Sequence, residues 1–406
     1  MATEVFKDER RNYNKGDYCK LRKELSIDWD ALLDPFQNDA NSQFKVFHEV
    51  LQQVCNRCIP CVSSDTATKK HRPPMNRDMR RLIHRKNRLW TRYMETKDIL
   101  KYDEYRKCRN RVRTITRKAK REYELNLAMK VRSEPKNFWN YANSKLKTRC
   151  RIPDLYVNSN NSQLTSNDQD KVDVLSNFFA SVYTRKSVVE LPDLSCKDLM
   201  YEMSTPYMHR ELVEKLLKDL KVSKTPGPDG IHPIVLKELA AELSIPLLKI
   251  FQSCIDSGKL PDTWKIAHIT PVFKKGDKCD PSNYRPISLT CIVSKILEKI
   301  IRDCLMDHLR SNGLLSDKQY GFLKGRSAKI QMIRVMDDWT MHLDQGRSVD
   351  VIYMDFMKAF DKVSHVHLLH KLQHLGVHQH VLDWIHDFLN DRSQVVVYNN
   401  KMSSSK

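Results

Sequence analysis

Apolar residues recur at three- and four-residue steps along several stretches of the chain, as they do in helices that bury one face. Phe44, Phe47, Val50, Leu51, Val54 and Cys55 form one such stripe. Leu82, Leu89, Trp90 and Tyr93 form a second, and Tyr105, Cys108, Val112, Ile115, Ala119 and Tyr123 a third. The last two predict a pair of amphipathic helices with a break near Thr96-Lys97-Asp98. Helices are also predicted near Asp170 to Tyr183 and from Glu211 to Leu220. The run from Lys224 to Ile231 combines proline at fixed φ with glycine suited to positive φ, which specifies a rigid bend. A helix is expected from about Pro233 to Gly258, a suitable C-terminal cap.

From Arg210 onward helices alternate with short strands. Ile266 to Phe273 reads as a strand, Lys274-Lys275-Gly276-Asp277 as a hairpin tip, and Tyr284 to Leu289 as the return. Ile292, Ile296, Leu297, Ile300, Ile301, Leu305 and Leu309 mark a long amphipathic helix. The apolar, β-favouring run Val351 to Met354 predicts a strand that ends in Asp355, with Phe356 next. Leu368 to Leu389 should be helical and Gln394 to Tyr398 another strand. No internal repeat is evident. The pattern suggests a helical lead-in over 1–66, closing at Ser63-Ser64-Asp65-Thr66, then a basic helical region over 67–151. A mixed segment over 152–209 follows, with a linker between Pro192 and Thr205, and then a final region over 210–406.

A length of 406 residues, 40% hydrophobic and 30% charged, allows two or three globular domains. The start, Met1 to Arg11, is polar, unlike a signal peptide. No apolar run approaches the roughly 18 residues of a membrane span. The expectation is a soluble intracellular protein without a membrane partner. Charge changes this picture most. Between Lys69 and Arg151 there are 28 Lys/Arg and 8 Asp/Glu, enough to account for the whole net charge of +20. Basicity confined to one block points to a polyanionic partner, with a merely solvated helix pair as the plain alternative. Eleven cysteines show no secreted-type spacing. Cys55, Cys58 and Cys61 have a spacing that could join a zinc site, but Cys19 is far upstream and no fourth ligand stands nearby, and helical spacing places the first two on a buried face instead.

Five segments then occur in a telling order. They are Pro226-Gly227-Pro228-Asp229-Gly230; Trp264 through Lys274-Lys275-Gly276; Asn283-Tyr284-Arg285-Pro286-Ile287-Ser288-Leu289; Gln319-Tyr320-Gly321-Phe322 with Gly325-Arg326-Ser327; and Asp355 through Asp361. The series resembles the reverse transcriptase domain of non-LTR (LINE-type) retrotransposons of the jockey/CR1-like group, over about 210–406. The basic helices and Phe138-Trp139 resemble, more weakly, the region these elements carry between endonuclease and polymerase. The fold the resemblance implies is α+β: a helical basic N-terminal region, then a partial right-hand polymerase with fingers and an incomplete antiparallel palm.

The resemblance also implies roles. Nucleotidyl transfer uses two divalent ions, Mg²⁺ in an intact member, about 3.5–4 Å apart. Asp355 matches the first catalytic, metal-binding carboxylate. Phe360 matches the bulky residue beneath the incoming sugar, which excludes a 2′-hydroxyl by a clash. Lys274 and Arg285 match residues that grip the triphosphate, one as a point charge and one as a bidentate fork, with Lys275 the alternative at the tip. Gln319, Gly321, Phe322 and Arg326 match the template contact. Asp229 is assigned to the turn and Asp361 to helix capping or packing. The implied partners are an RNA template, a DNA primer or target and deoxynucleoside triphosphates, acting in nucleus and cytoplasm.

The chain also departs from the family pattern. The Gln-Gly motif and the aromatic-x-Asp-Asp hairpin that supply the other metal ligands are not in this sequence, and Asp337-Asp338 falls in a predicted helix. One carboxylate does not hold two cations, so the chain as written is expected to lack polymerase activity. By the same resemblance, neither an upstream endonuclease nor a terminal zinc knuckle is expected within this sequence, and the aromatic expected before Asn76 is missing. A sheet ending there leaves Gln394 to Tyr398 as a raw, aggregation-prone edge of poor stability. The alternatives to a polymerase fragment are a non-catalytic nucleic-acid-binding retrotransposon remnant and a self-associating coiled-coil scaffold.

Overall fold

A computed structural model describes residues 9–63, 75–146, 152–157, 163–183, 191–194, 201–356 and 358–406. The polar stretch Ser64 to Thr66, Lys69, Pro73-Pro74 and part of the linker expected between Pro192 and Thr205 lie outside them. The chain divides into two compact units, one of residues 1–10 and 62–151, the other of residues 11–61 and 152–406.

In chain order the helices are α1 (Tyr18–Leu25), α2 (Trp29–Leu33), α3 (Ala40–Cys58), α4 (Arg77–Thr96), α5 (Ile99–Met129), α6 (Pro135–Leu146), α7 (Asp168–Ser181), α8 (Arg210–Lys218), α9 (Pro233–Glu238) and α10 (Ala240–Ser257). Strands β1 (Ile266–Phe273) and β2 (Tyr284–Leu289) follow, then α11 (Ile292–Ser311), α12 (Ala328–Asp344), α13 (His365–His374), α14 (Gln379–Leu389), β3 (Ser393–Tyr398) and β4 (Lys401–Met402). Many helix starts are set by a side chain that accepts an otherwise unpaired backbone N–H. Asp17, Asp28 and Asp39 cap α1, α2 and α3 in this way, and Asn76 and Asp98 cap α4 and α5.

In the first unit α4 and α5 form an antiparallel hairpin around Lys97, which takes the left-handed conformation (φ 54°). Met79, Leu82 and Ile83 of α4 face Val112, Ile115 and Thr116 of α5. At the turn end Trp90 packs on Tyr105 and Tyr93 on Tyr102, with ring centroids 4.8 and 5.0 Å apart. Only Met79 and Leu89 of this pair are buried, so the seam is narrow and the charged faces meet solvent.

In the second unit the main core gathers around α10. Trp264 is wholly buried between Phe44 of α3 (5.2 Å, edge to face) and Phe251 of α10 (6.2 Å). The stripe on α3 is therefore core, and Cys55 and Cys58 belong to its buried face. A smaller core forms where Val172, Leu175 and Phe179 of α7 cover Ala267, Ile269, Tyr284 and Val396 of the sheet.

The sheet runs in the order β2-β1-β3-β4. β1 and β2 are antiparallel, whereas β1 and β3 are parallel over Ile266↔Ser393 to Ile269↔Val396. The sheet is therefore mixed, not the antiparallel one expected. Gln394 to Tyr398 is also no raw edge. β3 lies between β1 and β4, and Gln394 exchanges backbone hydrogen bonds with Lys406 (2.9 and 3.1 Å). The outer place beside β1 falls to β2, whose Pro286 suits an edge because it has no N–H to leave unpaired.

Three further expectations change. Val351 to Phe356 forms no strand, and its side chains are exposed. An apolar run becomes a strand only where a neighbour takes its backbone groups, and none of the described strands reaches it. The helix from Pro233 is split at Leu239 (φ −109°, ψ 26°) into α9 and α10. The helix from Leu368 is split around Gly376, at φ 71°, into α13 and α14.

Candidate functional site

The β1–β2 ribbon holds the first pair of candidate residues. Its register sets Val272 opposite Arg285 and Thr270 opposite Ile287, and Lys274 N–H continues the ladder to the Asn283 carbonyl at 2.8 Å. Residues directly opposite share a face and alternate along each strand. Lys274 and Arg285 thus lie on one exposed face with Thr270, Val272 and Ile287. Lys275 stands one position further on, where the chain leaves the ladder.

The connection at the tip is built rather than slack. Gly276 takes φ 92°, and a Cβ there would come within 2.8 Å of the Asn283 side chain. Asn283 Nδ2 donates to the Asp277 carbonyl (2.9 Å), Cys279 N–H to Asp277 Oδ1 (2.9 Å), and Tyr284 OH to the Lys278 carbonyl (2.6 Å). Burial pushes the Tyr284 hydroxyl up to about 12, so it remains a neutral donor.

The bend at Pro226 to Ile231 anchors the far end of the ribbon. A Cβ on Gly227 would fall 2.6 Å from the Thr290 and Cys291 backbone, which is why glycine stands there. Asp229 is 4% exposed, and burial raises its carboxyl above the usual range. Its Oδ1 accepts Ile231 N–H at 3.2 Å, and its carbonyl accepts His48 Nε2–H at 2.8 Å. Asp229 is thereby a structural residue of the bend.

The opposite face of the sheet opens into a cleft of about 750 Å³. Ile269 and Ser288 contribute from β1 and β2, with Tyr183, Phe360, Asp361 and Arg392 around them. Phe360 therefore stands on the other face of the ribbon from Lys274 and Arg285. Phe322 meets Phe360 edge to face, at 6.1 Å between centroids. Gln319 Nε2 donates to the Gly321 carbonyl (3.3 Å), and Arg326 donates to the carbonyls of Ser316, Asp317 and Gln319 while pairing with Asp317 (3.1 Å). Arg326 thus holds its own loop in shape.

Asp355 is exposed and hydrogen-bonded to none of the described residues. Among those residues no group of three His, Cys, Asp or Glu is arranged to hold a metal. A single solvated carboxylate does not by itself fit a pair of divalent ions. Burial raises the Cys55 thiol to about 11, unlike a thiolate ready for a metal.

Two residues of the cleft were not singled out from the sequence. Arg392 lies over the Phe388 ring at 4.6 Å and donates to the Phe388 carbonyl at 3.0 Å; the Phe388/Arg392 spacing of four was its available signal. Tyr183 donates to Gln394 Oε1 at 3.3 Å across 211 positions, for which no local pattern exists.

Residues 272–406 match the family described as reverse transcriptase (RNA-dependent DNA polymerase). The chain is 26% identical over 312 residues to the probable RNA-directed DNA polymerase from transposon X-element of Drosophila melanogaster, covering 74% of this chain and 34% of that protein. It is 24% identical over 309 residues to the corresponding protein of transposon BS of the same fly, with the same two coverages. Against the RNA-directed DNA polymerase from mobile element jockey of that species it is 26% identical over 246 residues, 58% of this chain and 26% of that one. The chain thus spans about a third of the first two relatives and less of the third. No described helix is long and apolar enough to cross a membrane. With five motifs in order and relatives of one kind over most of its length, the chain is similar to the non-LTR (LINE-type) retrotransposon reverse transcriptases, and its residues 272–406 match the reverse transcriptase family.

Proposed function

We propose that residues 210–406 carry the fingers and the first part of the palm of an RNA-directed DNA polymerase. In this reading they take an RNA template, a DNA primer or target and a deoxynucleoside triphosphate, at chromosomal DNA in the nucleus and during assembly in the cytoplasm. The observation that carries it is the shared exposed face of Lys274 and Arg285, within the stretch that matches the reverse transcriptase family. Two cations on a rigid ribbon suit a triphosphate, one as a compact charge and one as a fork. Lys275, outside the ladder, has a lesser part. Phe322 with Phe360, on the other face of the ribbon from Lys274 and Arg285, would border the path of the template, and Asp355 would supply one Mg²⁺ ligand. Because no group of three metal-ligating side chains forms among the described residues, the proposal for this chain is binding without nucleotide addition.

The test is a titration of a fluorescent deoxynucleoside triphosphate with Mg²⁺, alongside template–primer extension. Lys274→Ala with Arg285→Ala should weaken nucleotide binding at least about tenfold, since each contact is a charge-assisted hydrogen bond. Lys275→Ala should have a much smaller effect. Equal losses from Lys274→Ala and Lys275→Ala would refute the assignment by register, and measurable extension would refute binding alone.

A second reading, a non-catalytic nucleic-acid-binding protein, is favoured by the basic region of residues 67–151, which contains the α4–α5 hairpin. Residues 1–66 and 152–209 are then lead-in and connecting segments.

A further inference from the structure

Two sets of cations on the α4–α5 hairpin differ in their surroundings. Arg81, Arg106 and Lys120 are paired with Asp78, Asp103 and Glu124, at 3.9, 2.9 and 3.7 Å. Lys86, Arg109, Arg113 and Arg117 line a single open groove of about 410 Å³, with Val112 and Thr116 between them. Among the described residues no carboxylate lies within ion-pair reach of these four. Arg109 Nε is also buried in this groove's wall without a hydrogen-bond partner, and its guanidinium lies over the Tyr105 ring at 5.8 Å.

The spacing of this second group is regular. Arg109, Arg113 and Arg117 stand four residues apart on one helix, a rise of about 6 Å per step. That is the scale of successive phosphates along one nucleic-acid strand. Lys86 adds a charge from α4 across the groove. No aromatic side chain lines it, so nothing there stacks a base.

We propose that Lys86, Arg109, Arg113 and Arg117 form a track for the phosphodiester backbone of a single polynucleotide strand, read without regard to base sequence. This rests on the reading of the basic hairpin as nucleic-acid binding and narrows it to one groove. The paired cations outside the groove take a smaller part because each already has a carboxylate.

Counterion release makes the idea measurable. Each phosphate contact to a single strand contributes a slope of about 0.7 in log K against log salt. The full chain is titrated by fluorescence anisotropy with an unstructured single-stranded RNA and with DNA of the same sequence. Replacing all four groove residues by Gln, a good helix former, should lower the slope by about 3 on both strands. The variant carrying Arg81→Gln, Arg106→Gln and Lys120→Gln should change it clearly less. Circular dichroism and thermal melting confirm that both variants stay folded. A wild-type chain that binds neither strand in a salt-dependent way overturns both this inference and the hairpin reading. Salt-dependent binding that the groove variant leaves intact, or that both variants lower equally, overturns the groove alone. A loss confined to RNA or to DNA overturns the claim that only the shared backbone is read.

Discussion

Phe322 and Phe360 meet with ring centroids 6.1 Å apart and planes at 87°. Phe322 does so from a left-handed backbone (φ 61°), and Lys358, two residues before Phe360, is left-handed as well (φ 52°). Such conformations cost a residue with a Cβ roughly 1–2 kcal/mol. Phe322 is 93% exposed and Phe360 81%, so the ring edge is the main apolar contact either has.

The pair should therefore hold its two segments together weakly. At exposed positions an edge-to-face pair is worth about 0.5 kcal/mol. Phe322→Ala or Phe360→Ala should each speed limited proteolysis near Tyr353 about twofold, and the double substitution should add little. Fully multiplicative effects would show that the rings do not support each other.

Gly227→Ala should destabilise the chain by about 1–3 kcal/mol in chemical denaturation, because the new methyl meets backbone rather than a side chain that can move. Combining it with Cys291→Ala should not relieve the loss. Relief would mean that the thiol, not the peptide group, is the obstacle.

Asp229 makes stability depend on pH. Its carboxyl is raised by burial, so the folded state holds the proton more tightly than the unfolded state does. The associated stability is fully present below about pH 4 and is lost as pH rises through the raised native value. Asp229→Asn keeps an Oδ1 acceptor for Ile231 N–H and removes the ionisation. Melting temperatures of the two proteins should converge near about pH 4 and separate toward neutrality, with Asn the higher. A constant difference across that range would exclude the ionisation as its source.

Asp387 ties the start of the ribbon to α14. It pairs with Lys265 at 2.7 Å and accepts Leu260 N–H at 2.8 Å, with both side chains mostly covered. Asp387→Ala strands the Lys265 charge and should cost about 3 kcal/mol in urea unfolding. Adding Lys265→Met should recover part of it. No recovery would place the cost on Leu260 N–H instead.

Local chemistry was legible along the chain. The limits of β1 and β2, the break at Lys97 and the extent of α11 follow from side-chain periodicity, caps and turn residues, which act within a few positions. Individual elements were therefore recognisable, and the motif order carried the resemblance. What pairs with what was not legible, because strand pairing and burial are decided between distant segments. The parallel docking of β3 on β1 joins positions more than a hundred residues apart, and it makes the expected raw edge an interior strand. The Val351 to Phe356 run has strand chemistry but no described neighbour to complete a ladder. Trp264 draws α3 and α10 into one core, although nothing local in residues 11–61 names that partner. Lys274 separates from Lys275 for the same reason: the sequence places two lysines at a tip, and only the register across β2 sets one of them on the face of Arg285.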